Sequence, residues 1–330
     1  MADSEVFQRV VDLIAPARRV LVTTHTKPDG DACGCVLAMT EALRAQGKTV
    51  QPLYLSPLPQ WYNFLSDEKV PVLRQDMQVE DLAAGSYDLI VILDTNSFSQ
   101  LPHIEPFLRQ TDAPILVIDH HATSDSIGKV EVVDPTAGAA GLVLLDLLSR
   151  LGWPITQRMA KCLFVAIATD TGWFQFNNTD SRVYRRTADL IDLGVEPADI
   201  YDKLYQNVSY ERFSLMLKML SRLELHFDGR YAVQHILQDD FVETGASYED
   251  TENLINECQR IGSVVVSSLL VELKDGRVRG SLRSRGQIDV SEIAAKFGGG
   301  GHKKAAGTFL PGPLDHAKEL LYAEVAHRLD

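Results

Sequence analysis

Short runs of Val, Ile and Leu punctuate the first half of the chain, and three of them give way at once to Asp or His. Arg19 to Thr24 (RVLVTT), Tyr87 to Leu93 (YDLIVIL) and Pro114 to Ile118 (PILVI) have strand length. Runs this apolar read as strands buried on both faces, the habit of parallel sheets. Thr49 to Leu55 and Lys129 to Val133 read as two more strands. Ala32 to Gln46, with Gly47 as its stop, and the stretches 141–151 and 156–169 read as helices. Strands alternating with helices imply βαβ units, so the expected class is α/β with a mostly parallel sheet. Ligands of such sheets bind outside the carboxyl ends of the strands. His25, Asp29 and Asp31 come after the first run, Asp94 after the second, and Asp119, His120 and His121 after the third. Asp170 ends a helix-like run. Asp and His side chains from four segments are thus expected to converge on one rim.

Taken singly, each of these residues has an ordinary reading. An Asp at a strand end caps a helix, Pro-Asp-Gly makes a turn, and a His pair decorates a surface. Together they form a set of carboxylate oxygens and imidazoles. That hard, mixed donor set suits two divalent ions, Mn²⁺ first, with Mg²⁺, Co²⁺ or Fe²⁺ as alternatives. Two such ions share a bridging carboxylate, lower the pKa of a water and clamp a phosphoryl oxygen. The chemistry expected is hydrolysis.

At 330 residues the chain suits two domains. Its four cysteines form no CxxC pair, which argues against a disulfide framework or a zinc site and for a reducing cytoplasm. No apolar run approaches membrane-span length, so no membrane partner is expected. A net charge of −13 and a pI near 5.1 argue against coating long duplex nucleic acid. A small phosphorylated substrate held by local cations remains compatible.

From about Asp180 to Leu223 the pattern is helical and reads as a connector. Beyond it, Arg230 to Leu237, Val264 to Leu273 and Arg277 to Ser284 alternate like antiparallel strands, with Lys274-Asp275-Gly276 as a hairpin turn. Tyr248 to Ile261 and Val290 to Phe297 read as helices, making the second domain α+β. Arg277, Arg279, Arg283 and Arg285 share parity and would face one side of a continuous strand. Eight Lys or Arg fall between Lys274 and Lys304, outnumbering the acids there. Arg suits phosphate recognition. Gly298 to Gly301, followed by His302, offers backbone N–H groups that could form an anion nest.

These motifs resemble the DHH phosphoesterase family, named for the triplet seen here as Asp119-His120-His121. HTKPDGDACG is similar to that family's first motif, and Asp94 and Asp170 (in ATDTG) stand where two others carry Asp. SLRSRGQIDVSEIAAKFGGGGHKKAAG resembles the companion DHHA1 domain. Length and layout are most similar to the oligoribonuclease/pAp phosphatase (NrnA-type) group. The resemblance implies a DHH domain over 1–187, a helical connector over 188–222 and a DHHA1 domain over 223–330. It implies that His25, Asp29 and Asp94 hold one metal and that Asp31, Asp94, His120 and Asp170 hold the other, with Asp94 bridging. It gives His121 and Asp119 catalytic roles: His121 faces the phosphate or assists the leaving group, and Asp119 orients a ligand. Arg283, Ser284, Gly299, Gly300, Gly301 and His302 would bind substrate. Thr26-Lys27, Cys33 and Cys35 depart from the usual first motif, which leaves the ligands intact.

The expected function is an Mn²⁺-dependent phosphoesterase. It would cut short single-stranded RNA to mononucleotides and remove the 3′-phosphate of adenosine 3′,5′-bisphosphate (pAp). A cyclic- or linear-dinucleotide phosphodiesterase, a pyrophosphatase or polyphosphatase, and a non-catalytic nucleotide sensor stay open. So does a homodimer. The second domain would hold the nucleotide end, across a cleft that favours short substrates.

Overall fold

The sheet order explains where a site can form. The computed structural model describes residues 4–329, the side chain of His302 apart. After α1 (Ser4–Ile14), the chain runs β1 (Arg19–Thr24), α2 (Gly30–Ala45), β2 (Thr49–Leu53), α3 (Val79–Ala84), β3 (Leu89–Leu93), α4 (Glu105–Gln110), β4 (Ile115–Asp119) and β5 (Val130–Val133). The strands form a parallel sheet in the order β2-β1-β3-β4-β5. The chain therefore goes outward from β1 to the β2 edge, then returns to β3 on the other side of β1. Loops leaving β1 and β3 diverge there and open a crevice at their carboxyl ends.

Every residue of β3 and β4 is buried, as continuous apolar runs require. Alternate side chains serve two cores. Val20, Val22, Val91 and Ile118 pack against α2, α5 (Ala140–Arg150) and α6 (Gln157–Asp170). Leu21, Ile90, Ile92 and Val117 pack under α3 and α4 through Leu82 and Leu108. The helices on the first face approach unusually closely. A Cβ on Gly34 of α2 would lie 2.2 Å from the Cys162 carbonyl oxygen of α6. Only glycine permits that crossing, and it brings the ends of α2 and α6 together.

The chain divides into two units between Gln206 and Asn207. The expected connector is shared between them. α7 (Ser181–Asp192), α8 (Pro197–Tyr201) and a π turn (Asp202–Gln206) belong with the first unit. Trp173 of that unit packs edge-on against Tyr201 and Tyr205. α9 (Tyr210–Ser221) belongs with the second unit, where Leu215 and Met219 join Ile236, Leu269 and Val271.

The second unit continues with β6 (Glu224–His226), β7 (Tyr231–Ile236), α10 (Gln238–Thr244), β8 (Val266–Glu272), β9 (Val278–Ser284), α11 (Val290–Ala295), β10 (Gly300–His302), β11 (Ala305–Leu310) and α12 (Leu314–Leu329). Its sheet order is β10-β11-β9-β8-β7-β6. The hairpin between β8 and β9 is antiparallel as expected, but β7 and β8 run parallel. α10 and two 3₁₀ turns carry the chain across between them, and parallel pairing needs such a crossover. β7 and β8 are covered on both faces, so their apparent alternation carried no one-sided burial signal. The helix expected over 248–261 is those two 3₁₀ turns, Tyr248–Thr251 and Leu254–Arg260, interrupted at Asn253 with φ 60°. No described helix is long and apolar enough to cross a membrane.

Candidate metal centre

His25 leaves the end of β1, Asp94 the end of β3, and Asp119 to His121 the end of β4. Thr24 pairs with Leu93, and Leu93 with Ile118, so these three exits lie side by side. Asp29 caps α2, its Oδ1 accepting from the N–H groups of Asp31 (3.0 Å) and Ala32 (3.1 Å). Asp31 lies in the first turn of α2, and Asp170 is the last residue of α6.

Three groupings of ligand atoms result, each within 4.8 Å: His25, Asp29 and Asp94; Asp31, His120 and Asp170; Asp94, His120 and His121. His25 Nε2 lies 3.3 Å from Asp94 Oδ2, and His120 Nε2 lies 3.7 Å from Asp94 Oδ1 and 3.5 Å from Asp170 Oδ2. Both imidazoles are oriented from behind. His25 Nδ1 meets the Thr26 carbonyl at 2.8 Å, and His120 Nδ1 the Ala137 carbonyl at 3.1 Å. A carbonyl accepts from Nδ1–H, which leaves the Nε2 lone pair facing the carboxylates.

Asp31 is held differently. It is 1% exposed, and its oxygens accept from the N–H groups of Ala140 (2.6 Å), Gly141 (2.8 Å) and the Cys35 thiol (3.3 Å). Ala139, the residue before α5, has no side-chain cap of its own. Asp31 thus caps α5 from another element, and the helix N-terminus in turn favours its negative charge.

The electrostatics are those of a cation site. Burial pushes Asp31 well up, with Asp170 and Asp29 adding to the shift. Burial likewise raises Asp94, followed by Asp31 and Asp29. Asp170 is raised by burial, which His120 partly offsets. Asp94 Oδ1 and Asp119 Oδ2 are buried with no hydrogen-bond partner. Asp94 also has left-handed backbone, φ 60°, strain that usually persists at functional positions. Bound divalent cations would relieve the repulsion and give the orphaned Asp94 Oδ1 a partner. An oxygen and imidazole donor set without thiolate fits Mn²⁺ or Mg²⁺.

Asp119 faces this cluster from one layer behind. Its Oδ1 accepts from the backbone N–H groups of His120 and His121 and from His121 Nδ1 at 2.8 Å. That hydrogen bond outweighs desolvation and raises the His121 pKa. His121 spends Nδ1 on Asp119, and 44% of its side chain is exposed.

One residue was missed by sequence reasoning. Asn178 Nδ2 donates to the carbonyls of Gly138 (2.9 Å) and Asp170 (3.2 Å), tying the end of α6 to the loop before α5. The segment Phe176-Asn177-Asn178-Thr179-Asp180 signals only a turn and a helix cap.

In the second unit, Arg279 and Arg283 share the open face of β9 with Ser281. Ser281 pairs with Gly307, which pairs with Gly300, and Arg283 pairs with Ala305. A shelf of small residues therefore surrounds Arg283. Its guanidinium is partly buried and, among the described residues, has no carboxylate partner. Desolvation, then Arg279, lowers its pKa. The other two arginines are engaged elsewhere: Arg277 with Asp275 at 2.7 Å, and Arg285 with the Gln259 carbonyl. Ser284 lies on the opposite face, where its hydroxyl donates to the Ile288 carbonyl at 2.7 Å. The glycine run is not one continuous nest. The Gly298 and Gly299 N–H groups close α11 on Ala295 and Ala294. Gly300 and Gly301 belong to the edge strand β10. The side chain of His302 lies outside the described residues.

Comparison with known proteins agrees with this arrangement. A model of the DHH family's N-terminal domain matches residues 19–167, and one of the DHHA1 domain matches 228–328. The bifunctional oligoribonuclease and PAP phosphatase NrnA of Thermus thermophilus is 34% identical over 312 residues, 94% of this chain and 90% of the relative. An exopolyphosphatase-related protein from Bacteroides fragilis has the same fold, with a TM-score of 0.93 at 24% identity over 99% of this chain and 97% of its own. RecJ from Thermus thermophilus in complex with Mn²⁺ superposes with a TM-score of 0.56 at 16% identity, over 98% of this chain and 54% of RecJ. Two domain models in order and a relative matched almost end to end leave one conclusion: the chain belongs to the DHH/DHHA1 phosphoesterase family and is a hydrolase of that kind.

Proposed function

We propose that this phosphoesterase hydrolyses short oligoribonucleotides to mononucleotides and removes the 3′-phosphate of pAp, using two divalent ions, Mn²⁺ foremost. The observation that carries the reading is the pair of ligand trios, His25–Asp29–Asp94 and Asp31–His120–Asp170, at one sheet rim. Asp94 also reaches His120 and would bridge the two. When bound, such ions acidify a water and neutralise charge on phosphoryl oxygens. The chain's own groups do the rest. Asp119 fixes the His121 ring by Nδ1, so that Nε2 can hold a proton for the departing oxygen. Arg283 and the glycine-lined shelf of the second unit would bind a phosphate and the sugar edge of the nucleotide.

The substrate assignment is supported by the 34% identical NrnA, which acts on both substrate kinds by its name. Both substrates present a phosphoester at a nucleotide's 3′ oxygen, so one centre serves both. The four cysteines are unpaired, buried thiols, in keeping with a reducing cytoplasm. The test is product release with Mn²⁺ from pAp, 5′-labelled RNA dinucleotide and pentanucleotide, and cyclic di-AMP, with Asp94→Ala as control. Turnover of pAp and short RNA, lost in the variant, is the expected result. Turnover of dinucleotides alone would reassign the substrate, and no turnover of any substrate would leave a sensor.

A further inference from the structure

Two residues after Asp170 the backbone enters a conformation that residues with side chains rarely adopt. Gly172, Trp173 and Phe174 are all left-handed, with φ 57°, 57° and 65°. The consequence is a sorting of three aromatic rings. Trp173 turns inward, edge-on to Phe164, Tyr201 and Tyr205 at 5.1–5.7 Å. Phe174 turns against Phe164 and stacks under Tyr184 at 5.8 Å. Phe176 alone turns outward and is 60% exposed.

Phe176 is nevertheless fixed. Its N–H donates to the Thr171 carbonyl at 3.0 Å, which places it against the residue next to Asp170. Its ring rests on Gly172, where a Cβ would come within 2.4 Å of the ring carbons. Asn178, two residues on, holds the Asp170 carbonyl. A solvent-facing phenyl ring, resting on Gly172, is thus mounted on the turn that follows Asp170. Beyond its contact with Gly172 the ring faces solvent and joins none of the buried core clusters. A flat apolar surface of this kind suits the face of a nucleobase.

We infer that Phe176 is a stacking platform for the nucleobase next to the phosphoester being cut, a positioning residue that sets substrate affinity. The inference rests on the proposed nucleotide substrate and adds which side chain recognises the base. Stacking tolerates every base, since each has a π-face, so the platform favours nucleotides over simple phosphoesters without selecting sequence.

The experiment compares an RNA dinucleotide with the same dinucleotide carrying one abasic position, in the wild type, Phe176→Ala and Phe176→Trp, with Mn²⁺. The readout is the ratio of KM for the abasic to the base-bearing substrate. That ratio should fall by roughly 5- to 100-fold in Phe176→Ala and recover in Phe176→Trp, with the change in KM rather than kcat. An equal ratio in all three proteins, with normal turnover, would overturn the stacking role and leave the nucleotide reading standing. Wild-type failure on both substrates would overturn the nucleotide reading and this inference together.

Discussion

Asp94 answers two opposed demands. As the proposed bridging ligand it would have to be ionised to hold a cation, yet burial and the neighbouring carboxylates disfavour its charge. Replacing it with Asn keeps the shape and removes the repulsion. Asp94→Asn should therefore raise the melting temperature of the metal-free protein by a few degrees, worth about 1 kcal/mol. It should also abolish the rise in melting temperature expected of the wild type with Mn²⁺; calorimetry with and without metal checks both. Asp119 makes a separable contribution. Asp119→Asn keeps an oxygen that can accept from His121 Nδ1 but removes the negative charge that favours a protonated ring, and should lower kcat roughly 10–100-fold, with Mn²⁺-dependent stabilisation largely retained. Residue identities at this centre were legible in the sequence, because strand-end acids and imidazoles recur in the order the rim needs. Which oxygens lack partners was not, since that depends on three elements meeting. Ser284 shows the limit from the other side. Its neighbour Arg283 faces the open shelf, and one step of strand parity turns Ser284 away.

At the scale of elements, the site depends on how α2, α5 and α6 approach one another. Gly34→Ala would place a methyl 2.2 Å from the Cys162 carbonyl oxygen. The helices must separate, at a cost of roughly 1–3 kcal/mol, and Asp31 and Asp170 should part with them. The expected signature is a lower melting point in denaturation and a weakened Mn²⁺ titration in the same variant. Asn178→Ala tests the other clasp. It frees the Asp170 and Gly138 carbonyls and should cost about 1 kcal/mol. Metal affinity should fall about 10–100-fold, measured as the Mn²⁺ concentration that gives half-maximal stabilisation. The parallel strands of the first unit were readable because their apolar runs are unbroken. The parallel pairing of β7 and β8 was not. Both strands interleave polar residues such as Ser, Gln and His with apolar ones, which imitates one-sided burial although both faces are covered.

For the whole molecule, acid sensitivity should be traceable to a strap that ties α7 to α5 and to the end of β5. Arg182 binds Asp134 and Asp146, each at 2.6 Å, and Arg186 joins Asp146. Burial raises Asp134, but hydrogen bonds from Thr136 and Arg182 outweigh it and hold it at about 2, below its ordinary 3.8. A depressed acid stabilises the fold above its unfolded value and loses that contribution as pH falls through the folded one. The melting temperature should therefore drop between about pH 4 and pH 2, more gently in Asp134→Asn. The net charge of −13 also predicts weak binding of long nucleic acid, which filter binding at moderate salt would check. The double service of Asp31 reaches beyond this chain. Because it both caps α5 and joins a ligand trio, a descendant that abandoned catalysis would still draw about 0.5–2 kcal/mol of stability from that cap. Selection for foldability alone would preserve Asp31 in a lineage of inactive copies, whereas His120 and Asp94 would be free to drift. With His120 and Asp94 as the proposed metal ligands, their survival among relatives, and not that of Asp31, would mark a working enzyme.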